Sequence, residues 1–137
     1  MAEGNLQELL DLGFQQVGAF YLQAEKLFLR LNNFKNNTGT YAFVVNQNII
    51  YLGITTNSLY ARMNGYKNPG PSQETNKRIK PKIVEAHGVS IYFLPEVDMA
   101  KFTTIIRCNK KEKQVLIDLK TFERIAISMC KPPWNNY

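Results

Sequence analysis

Three phenols and a guanidinium lie at short spacing in the first half of the sequence. Tyr41 and Tyr51 stand in two apolar runs, "TYAFVV" and "IIYLGI", each near a glycine. In "NSLYARMNGY", Arg62 and Tyr66 are four residues apart, and a helix places such a pair on one face. Taken one at a time these residues are ordinary, because strand tyrosines usually pack in the core and helix arginines are usually solvated. Their combination suggests a site.

Two further polar residues follow near the end of the chain. Glu123 interrupts the apolar face of "VLIDLKTFERIAISMC", and Asn135 closes "PPWN". Buried carboxylates are rarely unpaired, so a salt bridge of Glu123 to Arg124 or a nearby lysine is the alternative to a functional role. As a hard oxygen ligand, Glu123 suits Mg²⁺, which usually takes only one or two protein carboxylates. Arg62 offers the planar fork that binds phosphate.

These groups together suit phosphodiester hydrolysis. That reaction needs positive charge on the scissile phosphate, a cation at the leaving oxygen, and a group that orients or deprotonates water. A phenol has a reference pKa of about 10, so as a base it needs nearby positive charge, or else it acts mainly by orienting water.

The ordered set of residues resembles the GIY-YIG nuclease family over roughly residues 38 to 135. Its name motif corresponds to "GTY" and "YLG", with Thr40 and Leu52 in place of the two isoleucines. The stretch "GYKNPGPSQETNKR" also looks like a subgroup signature, without an assignable role for each residue. The positions that carry the resemblance are, in chain order, Gly39, Tyr41, Tyr51, Gly53, Arg62, Tyr66, Glu123 and Asn135.

This resemblance implies metal-dependent DNA cleavage with one divalent ion, Mg²⁺ or Mn²⁺, bound by Glu123. Tyr41 would be the water-activating phenol, Tyr51 would assist at the phosphate, and Arg62 would clamp it. Asn135 would support the end of the site. It also implies an α+β fold with a central three-stranded antiparallel sheet flanked by helices. The alternative from another class is a catalytically silent nucleic-acid-binding module with the same fold.

The element pattern predicts one domain over residues 1–137, with an N-terminal extension at 1–37. In that extension we expect a helix capped by Asn5 and a hairpin that turns at residues 24–26. The two tyrosine runs are joined by "NQN" and form a second hairpin. The next helix begins at Asn57 or Ser58 and is expected to end at Gly65.

The second half of the sequence predicts, in order, a basic helix, a strand, an irregular segment and a last helix. In "ETNKRIKPKIVEAHG", Pro81 either kinks a basic helix or begins a second segment. "VSIYFLP" is a strand, and residues 96–114 form an excursion with a short strand at 102–107 and a basic turn. The last helix is expected to bear one broad apolar face, made of Leu116, Leu119, Phe122, Ile125, Ala126 and Met129.

The charge and composition of the chain restrict which partners and locations are expected. A net charge of +6 and a pI near 9.4 favour a polyanionic partner and tilt the prediction mildly toward nucleic acid. The family resemblance makes that partner DNA, and double-strand cleavage would call for a homodimer. One histidine and two distant cysteines leave no histidine-based zinc site. No apolar stretch approaches membrane-spanning length, and the acidic start does not suggest a signal peptide, so the cytoplasm is expected. The basic residues of "ETNKRIKPKIVEAHG" form either a solvated helix face or a surface that follows phosphates. With Lys67, the candidate DNA-contacting residues are Lys77, Arg78, Lys80 and Lys82.

Overall fold

The computed structural model describes residues 4–135 and shows one antiparallel five-stranded sheet flanked by helices. The predicted boundaries at residues 1 and 137 lie outside the described part. The elements in chain order are α1 (Leu6–Leu12), β1 (Gln15–Gln23), β2 (Lys26–Leu31), β3 (Gly39–Val45), β4 (Asn48–Thr55), α2 (Leu59–Lys67), α3 (Glu74–Glu85), β5 (Gly88–Pro95), a 3₁₀ turn (Glu96–Lys101), β6 (Thr103–Cys108), β7 (Lys111–Leu116) and α4 (Leu119–Cys130).

The strand order β2-β1-β5-β3-β4 explains why the sheet is wider than the predicted three-stranded core. Strands β3, β4 and β5 form that core, and the predicted N-terminal hairpin adds two strands by pairing β1 with β5. Ala24 and Glu25 turn this hairpin with positive φ, as predicted. Helix α1 begins at the predicted cap, where Asn5 and Glu8 form a capping box.

The hairpin of β3 and β4 carries the two motif tyrosines. Asn46 and Gln47 form its two-residue turn with φ values of 50° and 70°, the backbone that a tight hairpin turn requires. The register pairs Tyr41 with Gly53, so both lie on the same face of the sheet. Strand β4 is an edge strand, whereas β3 lies inside the sheet.

Two helix boundaries differ from the predicted ones. Helix α2 starts at Leu59 with the Ser58 cap but continues through Gly65 to Lys67. The glycine is needed for packing, since a Cβ there would lie 2.9 Å from Asn76 Nδ2 of α3. Helix α3 is one continuous helix with Pro81 inside it, so the two-segment alternative is wrong.

The prediction for the last helix was wrong at its start and on part of its face. Lys111–Leu116 pairs with β6 as strand β7, and the Asp118 side chain accepts from Thr121 N at 2.7 Å, so α4 begins at Leu119. The expected strand at 102–107 is β6. The residues that α4 buries repeat at helical spacing: Leu119, Phe122, Ala126 and Cys130. Leu116, Ile125 and Met129 are 62%, 44% and 71% exposed.

The sheet separates two hydrophobic layers. Tyr41, Phe43 and Tyr51 face helices α2 and α3, whereas Ala42 and Leu52 face helices α1 and α4. This follows from the alternation of side chains along a strand. A site that uses residues from both layers must therefore lie at the β4 edge of the sheet or at a strand end.

Candidate functional site

The predicted tyrosines and arginine meet under helix α2. Arg62 Nε donates to the Tyr41 hydroxyl at 3.1 Å, and Arg62 Nη2 donates to the Tyr66 hydroxyl at 3.0 Å. The Tyr41 and Tyr66 hydroxyls are also hydrogen-bonded to each other. Both tyrosines are fully buried, and the guanidinium lies over the Tyr66 ring, 4.8 Å from its centroid. The (i, i+4) spacing in α2 thus gives a bonded pair.

Tyr51 joins this group through its ring. Its centroid is 6.3 Å from the centroids of both Tyr41 and Tyr66, and it stacks on Phe43 at 5.6 Å. Among the described residues, the Tyr51 hydroxyl makes no hydrogen bond.

The two motif glycines make room for neighbouring groups, Gly53 for the Tyr41 ring and Gly39 for Phe93 and the Leu94 carbonyl. At Gly53 a Cβ would lie 2.5 Å from Cζ of Tyr41, so a side chain there would displace the phenol. At Gly39 a Cβ would lie 2.7 Å from Cζ of Phe93 and would also meet the carbonyl oxygen of Leu94. At both positions any larger residue would clash with its neighbours in this fold, which explains why glycine is found there.

Burial governs the protonation of the phenols. It raises the pKa of Tyr41 well above the ordinary value for a tyrosine, with a further rise from Tyr51, while the Arg62 charge and the hydrogen bonds from Tyr66 and Arg62 oppose that rise. Burial likewise raises the pKa of Tyr66, and there the bond to Tyr41 adds to the rise. Either hydroxyl can donate in the bond between the two tyrosines, whereas Arg62 Nε donates to Tyr41 in any case, so an ionised Tyr41 would be stabilised by the Arg62 charge.

Asn76 is a site residue for which we predicted no role. It is 1% exposed, and its Oδ1 accepts from Arg62 Nη1 at 3.0 Å. Its Nδ2 is buried without a partner among the described residues. It lies within the "ETNKR" stretch of the possible subgroup signature, but no spacing rule linked it to Arg62, which is 14 residues earlier.

Glu123 stands apart from this cluster, because α4 packs on the opposite layer of the sheet from Tyr41. It is half-buried and, within residues 4–135, its carboxylate makes no hydrogen bond or ion pair, so the alternative of a salt bridge is not found. Burial raises its pKa, and the charges of Lys120 and Arg62 oppose the rise. The Arg62 charge is thus one of the two that favour the ionised form of the Glu123 carboxyl.

Asn135 binds the backbone of that edge strand. Its Nδ2 donates to the Leu52 carbonyl at 2.8 Å, and its Oδ1 accepts from Leu52 N at 3.0 Å. The neighbouring Trp134 N donates to the Ile50 carbonyl at 3.0 Å. Trp134 and Asn135 therefore continue the hydrogen bonding along the outer side of β4. The Asn135 amide is used there and does not bond to Tyr41, Arg62 or Tyr66.

The candidate DNA-contacting residues differ in their surroundings. Arg78 Nη1 donates to the Trp134 carbonyl at 2.7 Å, and Lys77 donates to the Pro71 carbonyl and lies 3.8 Å from Glu74. Lys67 lies over the Phe28 ring, with 5.7 Å to the centroid. Lys80 and Lys82 make no such bonds within the described part.

A cleft of about 340 Å³ opens beside the cluster. Arg62 and Asn76 line one wall and residues 54–57 line another. A second cleft shares Ile54 and Thr56 with it and reaches Lys120, one turn before Glu123 on α4. The surface beside Arg62 thus continues toward the glutamate helix.

The donor set fits one hard divalent cation. Residues 4–135 contain no cluster of three or more His, Cys, Asp or Glu side chains arranged to hold a metal. Within that described part, the partly exposed Glu123 carboxylate makes no hydrogen bond or ion pair, and one such ligand with several waters is how Mg²⁺ is commonly bound. Within the same residues, no helix is long and apolar enough to cross a membrane.

Two solved structures share this architecture. A mutant of bacteriophage T4 EndoII aligns over 97% of this chain and 99% of its own, with a TM-score of 0.67 and 19% identity. Restriction endonuclease HPY188I in complex with product DNA aligns over 91% of this chain and 78% of its own, with a TM-score of 0.56 and 18% identity. No protein-family model and no curated protein matches the sequence. The likenesses confirm the predicted α+β fold, in which helices flank a central antiparallel sheet.

Proposed function

We propose that this chain is an endonuclease that hydrolyses DNA phosphodiester bonds with one divalent metal ion, Mg²⁺ or Mn²⁺, held by Glu123. The carrying observation is the arrangement around Arg62, which is fixed by three hydrogen bonds and lines an open cleft. Supporting it, both similar structures bear endonuclease names, and one was captured with product DNA.

Arg62 is suited to clamp a phosphate. A guanidinium has five N–H groups, and Arg62 gives three of them to Tyr41, Tyr66 and Asn76. One N–H on each Nη remains for phosphate oxygens. Because the protein holds the side chain in place, its charge is preorganised for the transition state and needs little rearrangement during the reaction.

Glu123 supplies the charge that a metal ion needs on the other side of the β4 edge. A bound divalent cation would stabilise the developing charge on the phosphate and the leaving oxygen. The raised pKa of Glu123 makes this carboxylate basic for a glutamate, so protons compete with the metal at a higher pH than usual.

Tyr41 is the proposed acceptor of the proton from water. Its hydroxyl accepts one hydrogen bond from Arg62 Nε and is hydrogen-bonded to the Tyr66 hydroxyl, so both neighbours stabilise its ionised form. Tyr66 and Asn76 are positioning residues, because they act through Arg62 and Tyr41. Tyr51, whose hydroxyl is uncommitted, is proposed to assist at the phosphate.

The experiment compares the unmodified protein with Glu123→Gln. Binding to duplex DNA is measured without metal, and cleavage of supercoiled plasmid is measured with Mg²⁺ or Mn²⁺. We expect binding to persist or strengthen in the Gln variant, since one negative charge is gone, and cleavage to be lost. Glu25→Gln, in the exposed turn between β1 and β2, is the control with the same charge change and should cut normally.

Two outcomes would refute the proposal. A wild type that binds DNA but cuts no form of it supports the silent binding module. A Gln variant that cuts as well as wild type makes Glu123 a structural carboxylate. The plasmid products also report on assembly, because linear product without a nicked intermediate is expected only of a homodimer.

A further inference from the structure

Strands β6 and β7 form a two-stranded ribbon outside the main sheet. All six residues of β6 are exposed, and in β7 only Val115 is partly covered. A lone two-stranded ribbon is marginally stable in water at best, so a ribbon with two exposed faces is more typical of an element that contacts a partner.

The two faces of the ribbon differ in chemistry. On one face, which we call the paired face, Gln114 Nε2 donates to Thr103 Oγ1 at 3.0 Å, and Arg107 Nε lies 2.7 Å from Glu112 Oε1. The opposite face, which we call the open face, consists of Thr104, Ile106, Cys108, Lys111, Lys113 and Val115. Within the described residues, the two lysines of the open face make no hydrogen bond or ion pair, and Ile106 is 56% exposed.

The base of the ribbon adjoins the candidate active site. Ile117 N donates to the Phe102 carbonyl at 3.1 Å and closes the base. Asp118, the next residue, lines the cleft that shares Ile54 and Thr56 with the Arg62 cleft. Six residues per strand extend about 20 Å at about 3.3 Å per residue, so the tip reaches well beyond the cleft.

We propose that this ribbon enters the major groove of duplex DNA bound across the Arg62 cleft, with its open face toward the base edges. This inference rests on the proposed function, since it supplies a reading element for the same substrate. The major groove is about 12 Å wide and admits a two-stranded ribbon. Lys111 and Lys113 present donors suited to guanine edges and phosphates, and Ile106 presents an apolar surface suited to thymine methyl groups.

Charge favours DNA over a second copy of this chain as the occupant. Lys111 and Lys113 lie on the open face, and Lys110 is in the adjoining turn. Two copies stacked through this face would bring like charges together without counter-charges, which costs stability. A polyanion instead neutralises them.

Cys108 makes the open face measurable in the unmodified protein. The sequence has two cysteines, of which Cys108 is exposed and Cys130 is 5% exposed. The rate of maleimide addition to Cys108 is measured in EDTA with and without a mixed-sequence duplex. At a duplex concentration of about ten times Kd, the rate should fall about tenfold. Cys108→Ser with Ile105→Cys puts the thiol on the paired face as the control, and its rate should change much less.

Two comparisons locate the contact. Prior loading of the duplex with methyl green, which occupies the major groove, should abolish the protection, whereas netropsin in the minor groove should not. Lys111→Ala with Lys113→Ala should flatten the slope of log K against log salt by about 1.8, because each phosphate contact contributes about 0.9. Lys26→Ala with Arg30→Ala removes the same charge from the exposed positions of β2, near the far edge of the sheet, and should leave the slope unchanged.

The outcomes separate this inference from the proposed function. If DNA is bound and cut while Cys108 stays fully reactive, the ribbon inference is wrong and the endonuclease proposal stands. If netropsin rather than methyl green removes the protection, the groove assignment is wrong. If Cys108 becomes protected without DNA as protein concentration rises, a second copy covers the open face, and the inference also fails. If DNA protects Cys108 but the protein cuts no form of DNA, the inference about the ribbon is supported and the endonuclease proposal is wrong.

Discussion

Arg62 is the residue through which the candidate site is organised. Tyr41, Tyr66 and Asn76 each accept one of its hydrogen bonds, and all three are buried. Hydrogen bonds to charged groups contribute about 1.5–3 kcal/mol each, so the guanidinium is held firmly before any substrate arrives. Burial raises the pKa of both tyrosines, so they stay neutral and act as hydrogen-bond acceptors that hold the Arg62 guanidinium in place.

The first prediction concerns the pH dependence of cleavage. Because burial raises the pKa of Tyr41, the fraction of ionised Tyr41 grows about tenfold per pH unit through neutral and mildly alkaline pH. The cleavage rate under saturating metal should rise in parallel. Tyr41→Phe should lower the rate by about 10²–10⁴-fold and flatten this profile, whereas Tyr66→Phe should lower the rate but keep the slope. A Tyr41→Phe enzyme with an unchanged slope would assign the ionisation to another group.

A second prediction at this scale concerns Glu123 and stability. Its pKa is raised in the folded state, so the folded protein binds this proton more tightly than the unfolded chain does. The contribution to stability is therefore complete below the unfolded pKa of about 4.3 and is lost as pH rises through the folded pKa. Glu123→Gln should raise Tm at neutral pH, with the gain vanishing below about pH 4. Thermal unfolding across pH measures this, and a Gln variant less stable than wild type at neutral pH contradicts it.

At the scale of elements, the edge strand β4 connects the parts of the site. It carries Tyr51 and Gly53 and contacts α4, the helix of Glu123. Edge strands expose unpaired backbone groups, and proteins commonly cover them. Here the chain after α4 provides that cover through Trp134 and Asn135, and Arg78 of α3 holds the Trp134 carbonyl in turn.

The third prediction tests this cover. Asn135→Ala leaves the N–H and carbonyl of Leu52 without their partners, and Leu52 is fully buried. Unsatisfied buried groups cost about 1–3 kcal/mol, so Tm should fall by roughly 3–9 °C. Asn135→Asp should destabilise at least as much, because a carboxylate cannot donate to the Leu52 carbonyl. Asn68→Ala, at an exposed amide on the α2 end, is the control. An unchanged Tm in both Asn135 variants would show that the hydrogen bonds between Asn135 and Leu52 do not stabilise the fold.

At the scale of the whole molecule, the basic residues of α3 divide between two tasks. A helix advances 100° per residue, so residues 77 and 80 lie on one side of the buried face and residues 78 and 82 on the other. Arg78 and Lys77 are bound to backbone carbonyls, whereas Lys80 and Lys82 make no hydrogen bond or ion pair within residues 4–135. Lys80 and Lys82 are therefore the residues of α3 that can turn toward DNA without breaking a bond within the protein.

The fourth prediction follows from that division. Lys80→Ala with Lys82→Ala should weaken metal-free DNA binding and flatten its salt slope by up to about 1.8, with Tm nearly unchanged. Arg78→Ala should instead lower Tm, because the Trp134 carbonyl loses its donor. Binding titrations over a salt series and thermal melts of the same proteins provide both readouts. An unaltered slope in the double variant would place α3 in solvent and leave the ribbon as the principal contact.

Local chemistry in the sequence was enough to predict much of this protein. The Asn5 cap, the Asn46–Gln47 turn and the alternation of β3 and β4 depend on residues a few positions apart, so their pattern is visible in one dimension. Helical spacing placed Arg62 beside Tyr66, and the family resemblance added Tyr41; the structure shows these three side chains hydrogen-bonded.

Contacts between distant segments were decided only by the tertiary structure. Gly65 is a packing residue and not a helix stop because α3 lies against it, and Asn76 meets Arg62 for the same reason. The apolar pattern predicts Leu116 on the last helix, but its pairing with Thr103 makes it the last residue of strand β7 instead. Glu123 is separated from the tyrosine cluster because α4 packs on the opposite layer of the sheet. Each outcome depends on which elements become neighbours, and that is set by burial of the whole chain rather than by any local spacing.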